Sequence, residues 1–155
     1  MKVAIGQDSH RIDYENKEKK LILGGVEFDE EFSLEANSDG DVILHAITNA
    51  ISGITCKNIL GKISDDMCLK QGITDSREYV KEALKYLDEK IVHISISIEC
   101  KTPKISPKVE EMRKSIAKIL DIEETSVGIT ATSGEGLTEF GKGNGINVFV
   151  CFTVE

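Results

Sequence analysis

The period of the apolar positions changes along the chain, and each period predicts an element. Lys2 to Gln7 is a short apolar run that reads as a first strand and leads into Gln7-Asp8-Ser9-His10-Arg11. In extended backbone, Asp8 and His10 would point to the same side. Asp13 to Lys20 is dense in charge and reads as a solvated loop. Leu21 to Phe28 is strand-like but broken by Gly24-Gly25, which predicts a bulge or a tight turn. Val42, Leu44, Ala46, Ile47, Ala50, Ile51 and Ile54 then predict a buried helix from about Gly40 to Ser52. The capping-box spacing of Ser38 and Asp41 would open it, and Gly53 would stop it.

Lys57 to Gln71 shows no sustained period and reads as a loop with one helical turn. Asp75-Ser76-Arg77-Glu78 opens a second helix, with Val80, Ala83, Leu84 and Leu87 on its apolar face. Val92, Ile94, Ile96, Ile98 and Cys100 alternate with His93, Ser95, Ser97 and Glu99, the pattern of a half-buried strand. Ser106-Pro107 opens a third helix, whose stripe is Val109, Met112, Ile116, Ile119 and Leu120. Ser126 to Thr132 and Ile146 to Val154 are two further strands. This order predicts an α+β fold, with a mixed four-stranded sheet, helices packed on one face and a small hairpin.

Composition narrows the function classes. The 155 residues have the length of one domain, taken as residues 1–155. A formal net charge of −8 argues against a nucleic-acid surface, so an anionic ligand would need metal ions or backbone N–H groups for its positive partners. Cys56, Cys68, Cys100 and Cys151 form no CxxC pair and follow no secretory leader, which predicts reduced thiols in a cytoplasmic protein. No apolar run approaches membrane length, so no membrane partner is expected.

The densest chemistry is in Asn37-Ser38-Asp39-Gly40-Asp41-Val42-Ile43-Leu44-His45-Ala46, which places one of only three histidines near the mouth of a helix. Asp8, His10 and His45 together are a good donor set for Zn²⁺, with a fourth position left for water or substrate. The residues alone equally allow His10 as a loop cap and His45 as a satisfied core histidine. Ser133 to Gly145 is rich in glycine and lies between two strands, so it reads either as a hairpin connection or as a nest of N–H groups for an anion. Glu135 within it is a candidate hard-cation ligand. His93 reads as surface.

Taken together, several motifs resemble the 2-C-methyl-D-erythritol 2,4-cyclodiphosphate synthase family of the non-mevalonate route to isoprenoids. They are Gly6-Gln7-Asp8-Ser9-His10-Arg11, Leu23-Gly24-Gly25-Val26, Ser38-Asp39-Gly40-Asp41-Val42-Ile43-Leu44-His45-Ala46, Asp75-Ser76, Pro103-Lys104, Met112-Arg113 and Ala131-Thr132-Ser133-Gly134-Glu135. Gly141, Gly143 and Gly145 match as well, and the likeness covers nearly the whole length. The resemblance implies a homotrimer with active sites between subunits. Zn²⁺ would bind Asp8, His10 and His45, and Mg²⁺ or Mn²⁺ would bind Glu135 against the substrate diphosphate. The implied substrate is a small cytidine diphosphate, 4-diphosphocytidyl-2-C-methyl-D-erythritol 2-phosphate, cyclised with release of CMP.

Carried over residue by residue, the substrate contacts are Asp8, His10, Ser38, Gly61, Asp66, Cys100, Pro103, Lys104, Thr132, Ser133, Glu135 and Lys142. Asn37 and Ser133 stand at the catalytic positions. The sequence departs from the family pattern at several of them. Asn37 replaces a histidine, Asn49 replaces an aspartate, and Ile59-Leu60-Gly61 replaces the Asp-Ile-Gly that holds the ribose. Ser64-Asp65-Asp66-Met67-Cys68 replaces Phe-Pro-Asp-Thr-Asp, Lys142 replaces arginine and Asn144 replaces glutamate. The metal ligands are kept while nucleoside contacts change. The alternative is therefore a divergent metal-binding trimer of the same fold, with another substrate or a non-catalytic binding role.

Overall fold

The computed structural model describes residues Met1–Glu155. In chain order the strands are β1 (Lys2–Asp13), β2 (Leu21–Leu23), β3 (Val26–Phe28), β4 (Ser33–Leu34), β5 (Ile91–Glu99), β6 (Val127–Thr132) and β7 (Gly145–Val154). The helices are α1 (Val42–Thr55), α2 (Lys62–Asp65), α3 (Ser76–Leu84) and α4 (Val109–Leu120). The main sheet has the order β4-β1-β7-β5-β6. It contains the four long strands expected, with β4 added as a two-residue edge too short to carry a period. It is mixed: β5 and β6 run parallel, and every other neighbouring pair is antiparallel. β2 and β3 form the separate hairpin, turned through Gly24 and Gly25 at positive φ.

Period-two alternation decides which face is covered. Register aligns Ala4 with Phe152 and Ile94, and Gly6 with Val150 and Ile96, and the helices pack on that side. α1 lies against β1 and β7 and is buried on almost every side, which explains why its apolar residues run without a clean stripe. α3 contributes Tyr79, Val80 and Ala83 to the core, and α4 contributes Met112, Ile116, Ala117 and Leu120. The opposite face carries no helix and exposes Val3 (59%), Ile5 (72%) and Phe149 (46%).

Several boundaries differ from the sequence expectation, each for a local reason. α1 starts at Val42 because Asp41 itself is the cap, its carboxylate accepting from the Leu44 N–H. It does not stop at Gly53 but continues to Thr55, where Cys56 turns left-handed (φ 59°). Gly53 serves a close approach instead: a Cβ there would lie 3.0 Å from the Ala4 Cβ. After Lys57, α2 is followed by a wider helical turn from Asp66 to Lys70. Ser106–Lys108 is a tight turn leading into α4 rather than its first residues.

Candidate metal centre

Two elements build the site. Gly6, Asp8 and His10 share the covered side of β1, so the alternation that puts Gly6 beneath α1 also carries Asp8 and His10 to the N-terminal end of that helix. Gly6 is what lets α1 approach: a Cβ on it would lie 2.0 Å from the Ala46 carbonyl oxygen. His45, the residue before Ala46, is thereby brought over the strand. His10 Nε2 and His45 Nδ1 are 3.0 Å apart, and Asp8 Oδ2 lies 3.0 Å from the first and 3.1 Å from the second. A tetrahedral zinc ion with bonds of about 2.0–2.1 Å spaces its ligand atoms about 3.3 Å apart, so these three donors fit such an ion with little movement. Burial opposes the charge on Asp8, but hydrogen bonds from His10 and His45 outweigh it and hold the carboxyl well below the usual carboxylate range.

The far side of His45 is held as firmly. Its Nε2 lies 2.8 Å from Ser76 Oγ, with Ser38 Oγ more distant at 3.4 Å, and its ring packs on Tyr79. Ser76 Oγ–H and N–H both donate to the Asp39 carboxylate. Asp41, fully buried, accepts from the N–H groups of Gly24 (2.8 Å), Gly25 (2.7 Å) and Leu44 (3.1 Å). Asp39 and Asp41 therefore brace the site and do not ligate. Asn49, one turn beyond His45, donates its amide N–H to the Gln7 carbonyl at 2.9 Å, a bond that an aspartate could not donate. The triad opens on a cavity of about 270 Å³ walled by Asn37, Ser38, Leu60, Gly61, Ser64, Asp65, Cys68 and Tyr79.

The sequence profile of the YgbB family matches residues 1–155. The chain belongs to the YgbB family. It is similar to a 2-C-methyl-D-erythritol 2,4-cyclodiphosphate synthase of Chlamydia caviae, 50% identical over 155 residues that cover 99% of this chain and 88% of that protein. The bifunctional IspDF of Campylobacter jejuni superposes with a TM-score of 0.86 at 29% identity, covering 97% of this chain. The chain spans only 41% of that larger protein. The IspF of Plasmodium falciparum, solved as a CDP complex, superposes with a TM-score of 0.79 at 26% identity over 98% of this chain and 94% of its own.

In this YgbB-family chain the remaining candidate residues fall into two groups. Asn37, Ser38 and Gly61 line the triad cavity, whereas Asp66 faces a neighbouring hollow and pairs with Lys70. Ile59 is 1% exposed and belongs to the core, so Leu60 and Gly61 provide the wall there. The second group lies away from that cavity. Thr132 accepts the Cys100 N–H through its carbonyl, and burial, then the nearby Glu99, push the Cys100 thiol up to about 11. Cys100 donates to the Pro103 carbonyl, and Lys104 is exposed beside it. Ser133, Glu135 and Lys142 are exposed, with Glu135 at a left-handed φ of 48° and Lys142 paired with Glu139. Within this loop Gly134 and Gly141 touch backbone to backbone: a Cβ on Gly141 would lie 2.7 Å from the Gly134 oxygen. Sequence reasoning missed Gly6, Asp39 and Ser76 as parts of the site. The Asp75-Ser76-Arg77-Glu78 run reads as a helix cap, which it is, and carries no sign that Ser76 also reaches His45.

Proposed function

We propose that this chain is a metal-dependent cyclodiphosphate synthase, one domain over residues 1–155. It converts 4-diphosphocytidyl-2-C-methyl-D-erythritol 2-phosphate to 2-C-methyl-D-erythritol 2,4-cyclodiphosphate and CMP. The observation that carries this reading is the Asp8–His10–His45 triangle, set at a cavity in a chain half identical to a protein of that name. An oxygen of the 2-phosphate attacks the β-phosphorus. The new P–O bond closes the ring, and the bond from the β-phosphorus to the bridging oxygen breaks, its electrons leaving with CMP. No protein nucleophile is required; positioning and charge stabilisation are the chain's tasks.

Asp8, His10 and His45 would hold Zn²⁺, and Glu135 would hold Mg²⁺ or Mn²⁺ against the diphosphate. Bound there, these cations would neutralise phosphate oxygens and polarise the P–O bond. The Asn37 amide, exposed at the cavity wall, donates a hydrogen bond to a phosphate oxygen as charge builds. Thr132 and Ser133 orient the diphosphate, Ser38 borders the sugar phosphate, and the segment from Cys100 through Pro103 and Lys104 takes the cytosine. Gly61, Asp66 and Lys142 complete the nucleoside side.

A homotrimer, with each site shared between neighbouring copies, accounts for two facts. The diphosphate and cytosine residues do not line the triad cavity of their own chain, and the helix-free sheet face exposes Val3, Ile5 and Phe149. The four free cysteines fit a reducing cytoplasm, and no helix is long and apolar enough to cross a membrane. A divergent, non-catalytic role is not favoured, because the departures at Asn37 and Ile59 leave the triad's three donors in ligating distance.

Phosphorus NMR of the protein with the cytidyl substrate, Zn²⁺ and Mg²⁺ tests the reading. CMP and a cyclic diphosphate should accumulate, and His45→Ala should abolish them. Unchanged substrate with zinc bound would refute it.

A further inference from the structure

We propose that Ser76, clamped by Asp39, is a positioning residue that accepts a hydrogen bond from His45 Nε2 and so presents Nδ1 to the metal. The proposal rests on the reading of Asp8, His10 and His45 as metal ligands. It follows from counting protons along one chain of contacts. Asp39, as a carboxylate, can only accept. It takes the Ser76 N–H on Oδ2 (3.0 Å) and the Asp41 N–H on Oδ1 (3.0 Å), and the Ser76 hydroxyl also points at Oδ1. A serine hydroxyl has one proton, and here it goes to Asp39. Only lone pairs then remain on Ser76 Oγ to face His45 Nε2 at 2.8 Å, so Nε2 must carry the ring proton and donate. Nδ1 is then the nitrogen left to face the metal, 3.0–3.1 Å from His10 Nε2 and Asp8 Oδ2, and a proton shared there with Asp8 would leave as the metal binds.

Ser76 is the nearer of the two hydroxyls around Nε2. Ser38 Oγ is farther, at 3.4 Å, and with one lone pair taken by the Gly40 N–H it still has another that can accept from Nε2. Ser76 and Asp39 are themselves fixed by backbone. Ser76 is fully buried as the first residue of α3, behind the Asp75 cap, and the Asp39 N–H donates to the Thr74 carbonyl at 2.9 Å. The start of α3 is thus tied to the ligand on α1 through one hydroxyl, in the order carboxylate, serine, histidine, metal. An orienting partner of this kind typically changes metal affinity by about 10–100-fold.

The decisive measurement needs no substitution in the relay. Nitrogen-15 NMR of metal-free protein labelled in histidine reports which ring nitrogen carries the proton, with assignments from His10→Gln and His93→Gln. The expected form of His45 carries a proton on Nε2, whether or not Nδ1 shares one with Asp8; a bare Nε2 overturns the proposal. Ser76→Ala should then free Nε2 to lose its proton and weaken Zn²⁺ binding about 10–100-fold by chelator competition, in protein still folded by circular dichroism. Zinc affinity unchanged in Ser76→Ala overturns it as well. Failure of the metal reading has a different signature: His45→Ala would bind Zn²⁺ as tightly as the wild type.

Discussion

Gly6→Ala adds one methyl group where strand and helix meet, and its consequences can be worked from distances. The new Cβ would lie 2.0 Å from the Ala46 carbonyl oxygen, 2.4 Å from the Ala50 nitrogen and 2.8 Å from the Ala50 Cβ. Non-bonded heavy atoms rest at about 3.5 Å or more, so α1 and β1 must separate by about 1.5 Å. Two of the three atoms met are backbone, so no rotamer change relieves the clash. Overpacking a core commonly costs about 1–3 kcal/mol, and a rigid contact belongs at or above the top of that range. At about 2–4 °C per kcal/mol for a chain of this length, the melting temperature should fall by about 6–12 °C.

The same movement reaches the metal centre. Asp8 is two residues beyond Gly6 on the strand, and His45 precedes Ala46 on the helix. Donor positions tolerate displacements of only about 0.2 Å. Gly6→Ala should therefore lose Zn²⁺ affinity by about tenfold or more, measured by chelator competition on protein that is still folded by circular dichroism. Gly128→Ala is the control, since its Cβ would meet nothing nearer than His93 Nε2 at 3.6 Å. It should melt within about 2 °C of the wild type, as substitutions away from packed features do. If Gly6→Ala matched the control in both stability and zinc affinity, the account of how α1 positions His45 would be refuted.

Three further outcomes are expected. Burial pushes the Asp41 carboxyl up to about 6 despite its N–H donors, against about 3.9 for a free aspartate. The folded chain then holds a proton that the unfolded chain has released between about pH 4 and 6, so stability from this group falls as pH rises across that window, by about 3 kcal/mol at most. Urea titrations of metal-free protein should show this slope flattened in Asp41→Asn, and an unchanged slope would count against it. Phe152→Ala should cost about 3–5 kcal/mol in the same titration, because the ring is fully buried on a residue flanked by its cross-strand partners Ala4 and Ile94. Glu135→Gln should slow product formation in phosphorus NMR while leaving zinc stoichiometry unchanged, since Glu135 is exposed and outside the triad; loss of zinc in that variant would remove the second-cation role.

Local pattern carried most of the architecture. The alternation from Val92 to Cys100 is β5, the aperiodic apolar run after Asp41 is a helix buried on nearly all sides, and Gly24-Gly25 is a hairpin turn. Asp8 and His10 were readable because a strand puts i and i+2 on one side. What stayed hidden depends on segments distant in sequence. β4 has two residues and exists only because Ile12 and Asp13 pair with it. Gly53 and Gly6 look like helix breakers or neutral spacers, yet each is small because another element presses on it. Ser76 lies 31 residues from His45, and no local period records their contact.

The acidic stretch before His45 shows how composition can point to the right place for an incomplete reason. Two aspartates beside a histidine look like additional ligands, yet neither joins the metal donor group. Asp39 reaches forward to the start of α3, and Asp41 reaches back to the Gly24–Gly25 turn while capping α1. Gly40 between them sits at φ +78°, with Leu34 so close that a Cβ would lie 3.2 Å from its side chain. Three consecutive residues thus fasten a hairpin, two helices and an edge strand to one point. His45 emerges from that point, so its ring is held by three segments before any metal arrives. The acids are placed to make one imidazole stand still, with Asp8 alone supplying the negative charge that a cation would meet.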